Sequence, residues 1–188
     1  LISDVEGLRL ITKQEIKYFE PQVSGIAALY SSETGIIDSH RFMSYLAVLA
    51  QERGALIVYN SEFLHAMKEH GGYRITVRNG VEELSLMARI VINSAGLDSD
   101  IVARNAGLEL GKYRSTVHYC KGQYFRLNSA KARLLKMLVY PVPKPTGGGL
   151  GVHATVDMAG GVRLGPDDEY LKLRVQDYSV DPLLRLKF

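Results

Sequence analysis

The stretch Arg89 to Asp100, R-I-V-I-N-S-A-G-L-D-S-D, constrains the fold of this chain more than any other. Ile90, Val91 and Ile92 are consecutive β-branched residues, and an unbroken apolar run of this kind suits a strand covered on both faces, as in a nucleotide-binding α/β domain. Asn93, Ser94, Ala95 and Gly96 then strip away side-chain bulk. Asp98 is placed to cap a helix from Leu97 to Ala106, and Gly107 to stop it. Strand, pared-down turn and helix start together favour a polar or anionic ligand at the turn. A close-packed turn without a ligand fits the same residues, and the stretch by itself leaves both open.

The flanking patterns support a mixed α/β class with α+β character. Thr12 followed by Glu15 is a capping-box pattern for a helix near Ile16 to Phe19, which Glu20-Pro21 ends. Val23 to Tyr30 reads as a strand. Asp38 or Ser39 caps an amphipathic helix with Phe42, Tyr45, Leu46 and Leu49 on one face, closed by Gly54. Ala55 to Tyr59 reads as a buried strand, and Glu62 to Met67 and Tyr73 to Arg78 as two more. Asn79-Gly80 marks a hairpin whose return strand is Val81 to Leu86. Beyond Gly107 the expectation is a different, mixed sheet: a long strand from Val117 to Leu127, a basic helical stretch from Ser129 to Met137, and a strand from Leu138 to Val142. A proline- and glycine-rich loop ending at Gly151 follows, then a hairpin of Val152 to Val156 with Val162 to Leu164. The tail from Tyr170 reads as partly helical and broken at Pro182.

Composition narrows the function classes. Of 188 residues 46% are hydrophobic, enough for a core, and 23 Lys and Arg against 20 Asp and Glu give +3 with no basic block, so no nucleic-acid footprint is present. Cys120 is the single cysteine, which excludes an internal disulfide and fits a reducing, cytoplasmic setting. No apolar run approaches the roughly 18 residues of a membrane span, so contact with a membrane is at most peripheral. The chain opens on Leu1 in mid-pattern and reads as a piece of a longer one.

Several motifs carry little on their own. Gly149, Gly151 and Ala154 match G-x-G-x-x-A but lead into a β-pattern rather than a helix, so a dinucleotide role is disfavoured. His118 and Cys120 share a strand face, yet two ligands without a third make no metal site. His65 and His70 read as loop or surface residues. No nucleophile elbow, P-loop or zinc motif occurs. His153 stands apart, in a strand just after the glycine loop and before Thr155, where a rigid backbone can present its ring to a pocket; a core histidine is the competing reading.

Taken in order, T-G-I-I-D at Thr34 to Asp38, V-I-N-S-A-G-L at Val91 to Leu97, K-G-Q-Y-F at Lys121 to Phe125, G-L-G-V-H-A-T at Gly149 to Thr155 and L-G-P at Leu164 to Pro166 resemble the FAD-dependent oxidoreductases of the D-amino-acid oxidase superfamily. Within it the likeness is to the L-2-hydroxyglutarate dehydrogenases and oxidases. The resemblance implies that residues 39–107 form the central part of an FAD-binding domain, and that 1–38 and 108–188 form a discontinuous, mixed-sheet substrate domain. It implies FAD as cofactor, with Phe63 by the adenine end, Ser94, Ala95 and Gly96 passing close to it, and Gly122 and Gln123 near the flavin ring. The family's N-terminal G-x-G-x-x-G strand and C-terminal G-x-R-P-like segment are not in this sequence, so the resemblance also implies the middle of an enzyme that holds FAD weakly by itself. Ser32-Glu33 stands where a proline commonly precedes T-G-I-I-D.

The activity implied is oxidation of a small 2-hydroxy carboxylate to the 2-oxo acid, with hydride passing to the flavin. His153 is the expected base for the hydroxyl proton, because an imidazole is poised near neutral pH. Lys121, Tyr124 and Thr155 are the expected partners of the substrate carboxylate, and no metal is called for. Oxidation of amino acids or glycerol 3-phosphate on the same scaffold, or a non-catalytic fragment that binds a partner, are the alternatives.

Overall fold

The computed structural model describes residues 6–131, 133–143 and 151–188. In chain order the elements are β1 (Leu8–Thr12), α1 (Lys13–Phe19), β2 (Ala27–Ser31), α2 (Ser39–Glu52), β3 (Ser61–Glu69), β4 (Gly72–Asn79), β5 (Glu82–Ala88), α3 (Ser99–Asn105), α4 (Leu110–Tyr113), β6 (Cys120–Lys121), β7 (Phe125–Arg126), β8 (His153–Val156) and β9 (Val162–Gly165). This is a mixed α/β class built from small separate sheets, as the patterning predicts. The chain divides into two compact units: Leu1–Ser44 with Cys120–Glu169 and Gln176–Phe188, and Tyr45–Tyr119 with Tyr170–Val175.

In the first unit β1 and β2 pair antiparallel, from Leu8 against Ser31 to Thr12 against Ala27. Helix α1 starts where the capping box places it: Thr12 Oγ1 accepts from the Glu15 amide at 3.4 Å. The Glu15 carboxylate in turn accepts from the Thr12 amide at 2.8 Å. A second sheet has the order β7-β9-β8. Its centre is Val162, fully buried, packed with Leu135 and Ala154 and flanked by Val23, Leu127, Val139, Val156 and Leu164. Asp157 holds the β8–β9 turn by accepting from Gly161 N at 2.7 Å and Ala159 N at 3.0 Å. Those amides, the Gly161 one foremost, keep its carboxyl below the usual range.

The second unit contains the meander β3-β4-β5, antiparallel throughout, with a bulge between Phe63 and His65 and Gly80 in the left-handed conformation its turn requires. His65 lies in β3, and its Nε2 is 3.2 Å from Thr76 Oγ1. Helix α3 packs on β3. Asp100, at the start of α3, is 2% exposed. It accepts from the amides of Ile101 at 2.9 Å and Val117 at 3.1 Å. Arg174 Nη1 donates to its Oδ2 and Arg174 Nη2 lies by its Oδ1, both at 2.6 Å. The same guanidinium donates to the Leu97 carbonyl at 2.6 Å and sits 5.1 Å above the Tyr119 ring. The hydrogen bond from Arg174, aided by the two amides, holds the Asp100 carboxyl far below its ordinary range, and Asp100 raises Arg174 in return.

Several expectations need correcting. Ile90 to Ile92 joins no ladder among the described residues, and Ile90 and Ile92 are 76% and 83% exposed, so the run is not a strand covered on both faces. Ala55 to Tyr59 is also unpaired, with Leu56 93% exposed. β-Branching sets an extended backbone, whereas a ladder needs a neighbouring strand. The helix expected from Leu97 is a 3-10 turn, Gly96–Asp98, followed by α3, and Asp98 makes no side-chain cap. Its carboxylate instead accepts from the Tyr119 hydroxyl at 3.4 Å.

Further along, Val117 to Leu127 gives only the short strands β6 and β7, interrupted where Gln123 N donates to Asp167 Oδ1 at 2.8 Å. Among the described residues from Ser129 to Met137, only a 3-10 turn, Ser129–Lys131, forms in place of a basic helix. Leu138 to Val142 contributes a single bridge, Val139 to Ala154. Pro182 starts a 3-10 turn rather than breaking a helix, because Asp181 Oδ1 accepts from Leu183 N at 2.9 Å and proline suits a first helical position. Helix α2 begins and ends as expected, yet its Phe42, Tyr45 and Leu46 are about half exposed.

A Cβ on Gly72 would strike the Ala88 carbonyl, whereas one on Gly35 meets nothing within 4 Å. Gly72→Ala is expected to destabilise the protein by about 1–3 kcal/mol in urea unfolding, while Gly35→Ala stays within about 0.5 kcal/mol. Because the Asp100 pKa is depressed on folding, its contribution to stability is complete above the unfolded carboxylate value near ~4 and is lost as pH falls below that toward the folded value. Thermal unfolding across this acid range is expected to show a shallower decline for Asp100→Asn than for the wild type, from a lower plateau at neutral pH.

Candidate functional site

His153 opens β8, opposite Gly165 of β9, and is 6% exposed. Its Nδ1 lies 3.1 Å from the Gly151 carbonyl oxygen. A carbonyl only accepts, so Nδ1 carries the proton in the neutral ring, and Nε2 has no hydrogen-bond partner among the described residues. Gly151 reaches this position at φ +69°, a conformation that suits glycine, and a Cβ there would already sit 3.0 Å from Pro141. Tyr140 stacks on the imidazole with ring centres 4.3 Å apart and planes at 25°. Tyr124 meets it edge-on at 6.3 Å and 79°. Two aromatic rings and one backbone bond therefore fix the orientation of the ring. Thr155, two residues on, shares its strand face.

The other expected residues of this unit are more tightly committed. Lys121 Nζ donates to Asp177 Oδ2 at 2.7 Å and Ser179 Oγ at 3.2 Å, and its side chain is 12% exposed. That lysine is the main reason the Asp177 carboxyl lies far below its usual range. Gln123 is 3% exposed; besides the amide bond to Asp167, its Nε2 donates to that carboxylate at 3.4 Å and its Oε1 accepts from Asp181 N at 3.1 Å. A Cβ on Gly122 would meet Pro166 at 2.8 Å, so the glycine permits a close approach of two chain segments. Tyr124 remains about half exposed. Gly149 of the glycine motif lies outside the described residues, and Ala154 of that motif is in β8, which is strand and not helix.

In the second unit Ser94, Ala95 and Gly96 are exposed. Asn93 shapes the bend: its Oδ1 accepts from Ala95 N at 3.2 Å and its Nδ2 donates to the Ser99 carbonyl at 2.7 Å. Gly96 has φ +57° and open space where a Cβ would stand. The turn thus offers bare backbone held in a fixed shape, which fits a nucleotide cofactor lying close against it. Phe63 is half-buried at the β3 bulge. His118 and Cys120 are exposed on either side of buried Tyr119, and no group of three or more potential metal ligands occurs among the described residues. None of the helices described is long and apolar enough to cross a membrane.

Sequence reasoning missed Tyr140, the aromatic wall of His153, and Arg174, whose partner Asp100 is 74 residues away. Neither has a local signal, because each acquires its role from a contact between distant segments.

Residues 3–186 match the family model described as DAO, FAD dependent oxidoreductase. Among curated proteins, the mitochondrial L-2-hydroxyglutarate dehydrogenase of Arabidopsis thaliana is 33% identical over 220 residues, covering 98% of this chain and 45% of that protein. The L-2-hydroxyglutarate dehydrogenase of Escherichia coli strain K12 is 30% identical over 157 residues, covering 84% and 36%. The chain thus spans less than half the length of these relatives. Among solved structures, FAD-bound, dithionite-reduced L-alpha-glycerophosphate oxidase from Mycoplasma pneumoniae superposes with a TM-score of 0.73 at 23% identity, covering 91% of this chain and 44% of that one, a likeness of fold. On the family match across nearly its whole length, the chain belongs to the DAO family of FAD-dependent oxidoreductases.

Proposed function

We propose that this chain is the central part of an enzyme that oxidises a small 2-hydroxy acid, of the L-2-hydroxyglutarate type, to the 2-oxo acid. The observation that carries the chemistry is the Gly151 carbonyl 3.1 Å from His153 Nδ1, which favours the tautomer whose Nε2 can take a proton. The names of the relatives support the substrate class.

Residues 39–107 supply cofactor contacts in this reading, and the segments on either side supply the substrate pocket. Ser94, Ala95 and Gly96 would hold FAD through their exposed backbone, with Phe63 of the same unit as a further contact. FAD, when bound, would accept the hydrogen of the substrate carbon together with its two electrons, as hydride. His153 Nε2 removes the hydroxyl proton from the substrate, and the Gly151 carbonyl stabilises the imidazolium that forms. Tyr140 and Tyr124 keep the ring from turning and shield it from water. Tyr124 and Thr155 offer hydroxyls to the substrate carboxylate. Lys121 adds positive charge tempered by its bond to Asp177.

Two measurements on the full-length enzyme test this. His153→Gln is expected to lower kcat by about 10²–10⁴-fold while leaving the flavin absorbance of the purified protein intact. Turnover within a few-fold of wild type would remove His153 from the mechanism. Bleaching of the flavin band should be fastest with L-2-hydroxyglutarate, and faster bleaching by an amino acid or by glycerol phosphate would reassign the substrate.

A further inference from the structure

Glu20 closes α1, and its backbone is held from both sides: its amide donates to the Ile16 carbonyl at 2.8 Å and its carbonyl accepts from the Val23 amide at 3.0 Å. The residue is 5% exposed. Its Oε1 accepts from the backbone amides of Lys136 at 2.7 Å and Met137 at 2.5 Å. Oε2 is shielded from solvent and meets no donor among the described residues, so the side chain is committed to those two amides.

The two amides begin the segment Lys136 to Tyr140. All of its residues line a cavity of about 490 Å³, so on that side its place is set by hydrogen bonds and not by packing. Its middle is tied to β8 by a single bridge, in which Val139 N donates to the Ala154 carbonyl at 2.9 Å and Ala154 N to the Val139 carbonyl at 2.8 Å. Its far end carries Tyr140, whose ring is centred 4.3 Å from that of His153 with the planes 25° apart. Glu20 therefore anchors one end of a short segment whose other end covers a face of the imidazole. Removing the anchor strands two amides beside empty space, and the segment is then free to move toward new acceptors.

We propose that Glu20 is a positioning residue for His153: by holding the amides of Lys136 and Met137, it keeps the Tyr140 ring stacked on the imidazole. Its effect on turnover rests on the reading of His153 as the base; its effect on the imidazole does not.

The test is made on the full-length enzyme with its histidines labelled for NMR. Glu20→Ala is expected to move the His153 ring resonances downfield, because the shielding of the overlying tyrosine is lost, and to lower kcat about ten-fold with KM within about two-fold. Glu20→Gln keeps a carbonyl oxygen for the amides and should return the resonances to their wild-type positions and kcat to within about three-fold. Glu20→Asp, which draws the carboxylate back by one methylene, stands in for Glu20→Ala should that variant not fold, and should shift the same resonances in the same direction. Tyr140→Leu removes the ring itself, so adding Glu20→Ala to it should cost less than about two-fold more in kcat. Gly72→Ala, which weakens the other unit, should leave the resonances in place. Unmoved His153 resonances in the Ala or Asp variant, no recovery in Glu20→Gln, losses that multiply in the double variant, or the same shift in Gly72→Ala would overturn the assignment. Normal turnover in His153→Gln would remove the base and leave the resonances alone to decide the role of Glu20.

Discussion

Taking the Asp100 carboxylate out of water obliges the chain to bring it a cation and backbone donors, and the second unit is arranged to do so. Arg174 supplies the cation, and the amides of Ile101 and Val117 supply the rest. By also reaching the Leu97 carbonyl, the same guanidinium pins the end of the pared-down turn from Ser94 to Gly96. The turn proposed to meet a cofactor through its backbone has to be stiff, since its side chains are too small to adjust. The buried ion pair is what stiffens this one from behind.

How much of this was legible in the residues depended on distance along the chain. The capping box at Thr12 and Glu15, the Asn79-Gly80 hairpin and the β8–β9 pair are local features, and each forms where the pattern placed it. Ile90 to Ile92 and Ala55 to Tyr59 depart from the expected strands for one shared reason. Apolar, β-branched composition dictates an extended backbone, but whether that backbone pairs is decided by segments elsewhere. Pro182 was misread differently: its missing amide can end a helix or begin one, and the Asp181 carboxylate settles the choice.

The candidate site divides the same way. The residue pattern singled out His153 by its place after the glycine loop and before Thr155, and the family whose resemblance gave it an expected role is established by the match over residues 3–186. The tautomer was not legible, because it depends on where the Gly151 carbonyl and the rings of Tyr140 and Tyr124 end up. Lys121 was picked for its charge, yet that charge is largely taken by Asp177 from 56 residues away. Glu20 looked like punctuation before Pro21 and turns out to join α1 to the backbone at Lys136 and Met137.

Strand β8 is only four residues long, and it contributes His153 to the candidate site and Ala154 to the core cluster of the first unit. Alternation along a strand ties these roles together: moving the chain by one position would carry a methyl group to where the imidazole stands and drive the imidazole into hydrocarbon. The strand should therefore accept exchanges of similar side chains far more readily than any gain or loss of a residue. In such a segment spacing, more than identity, is what descent is obliged to keep.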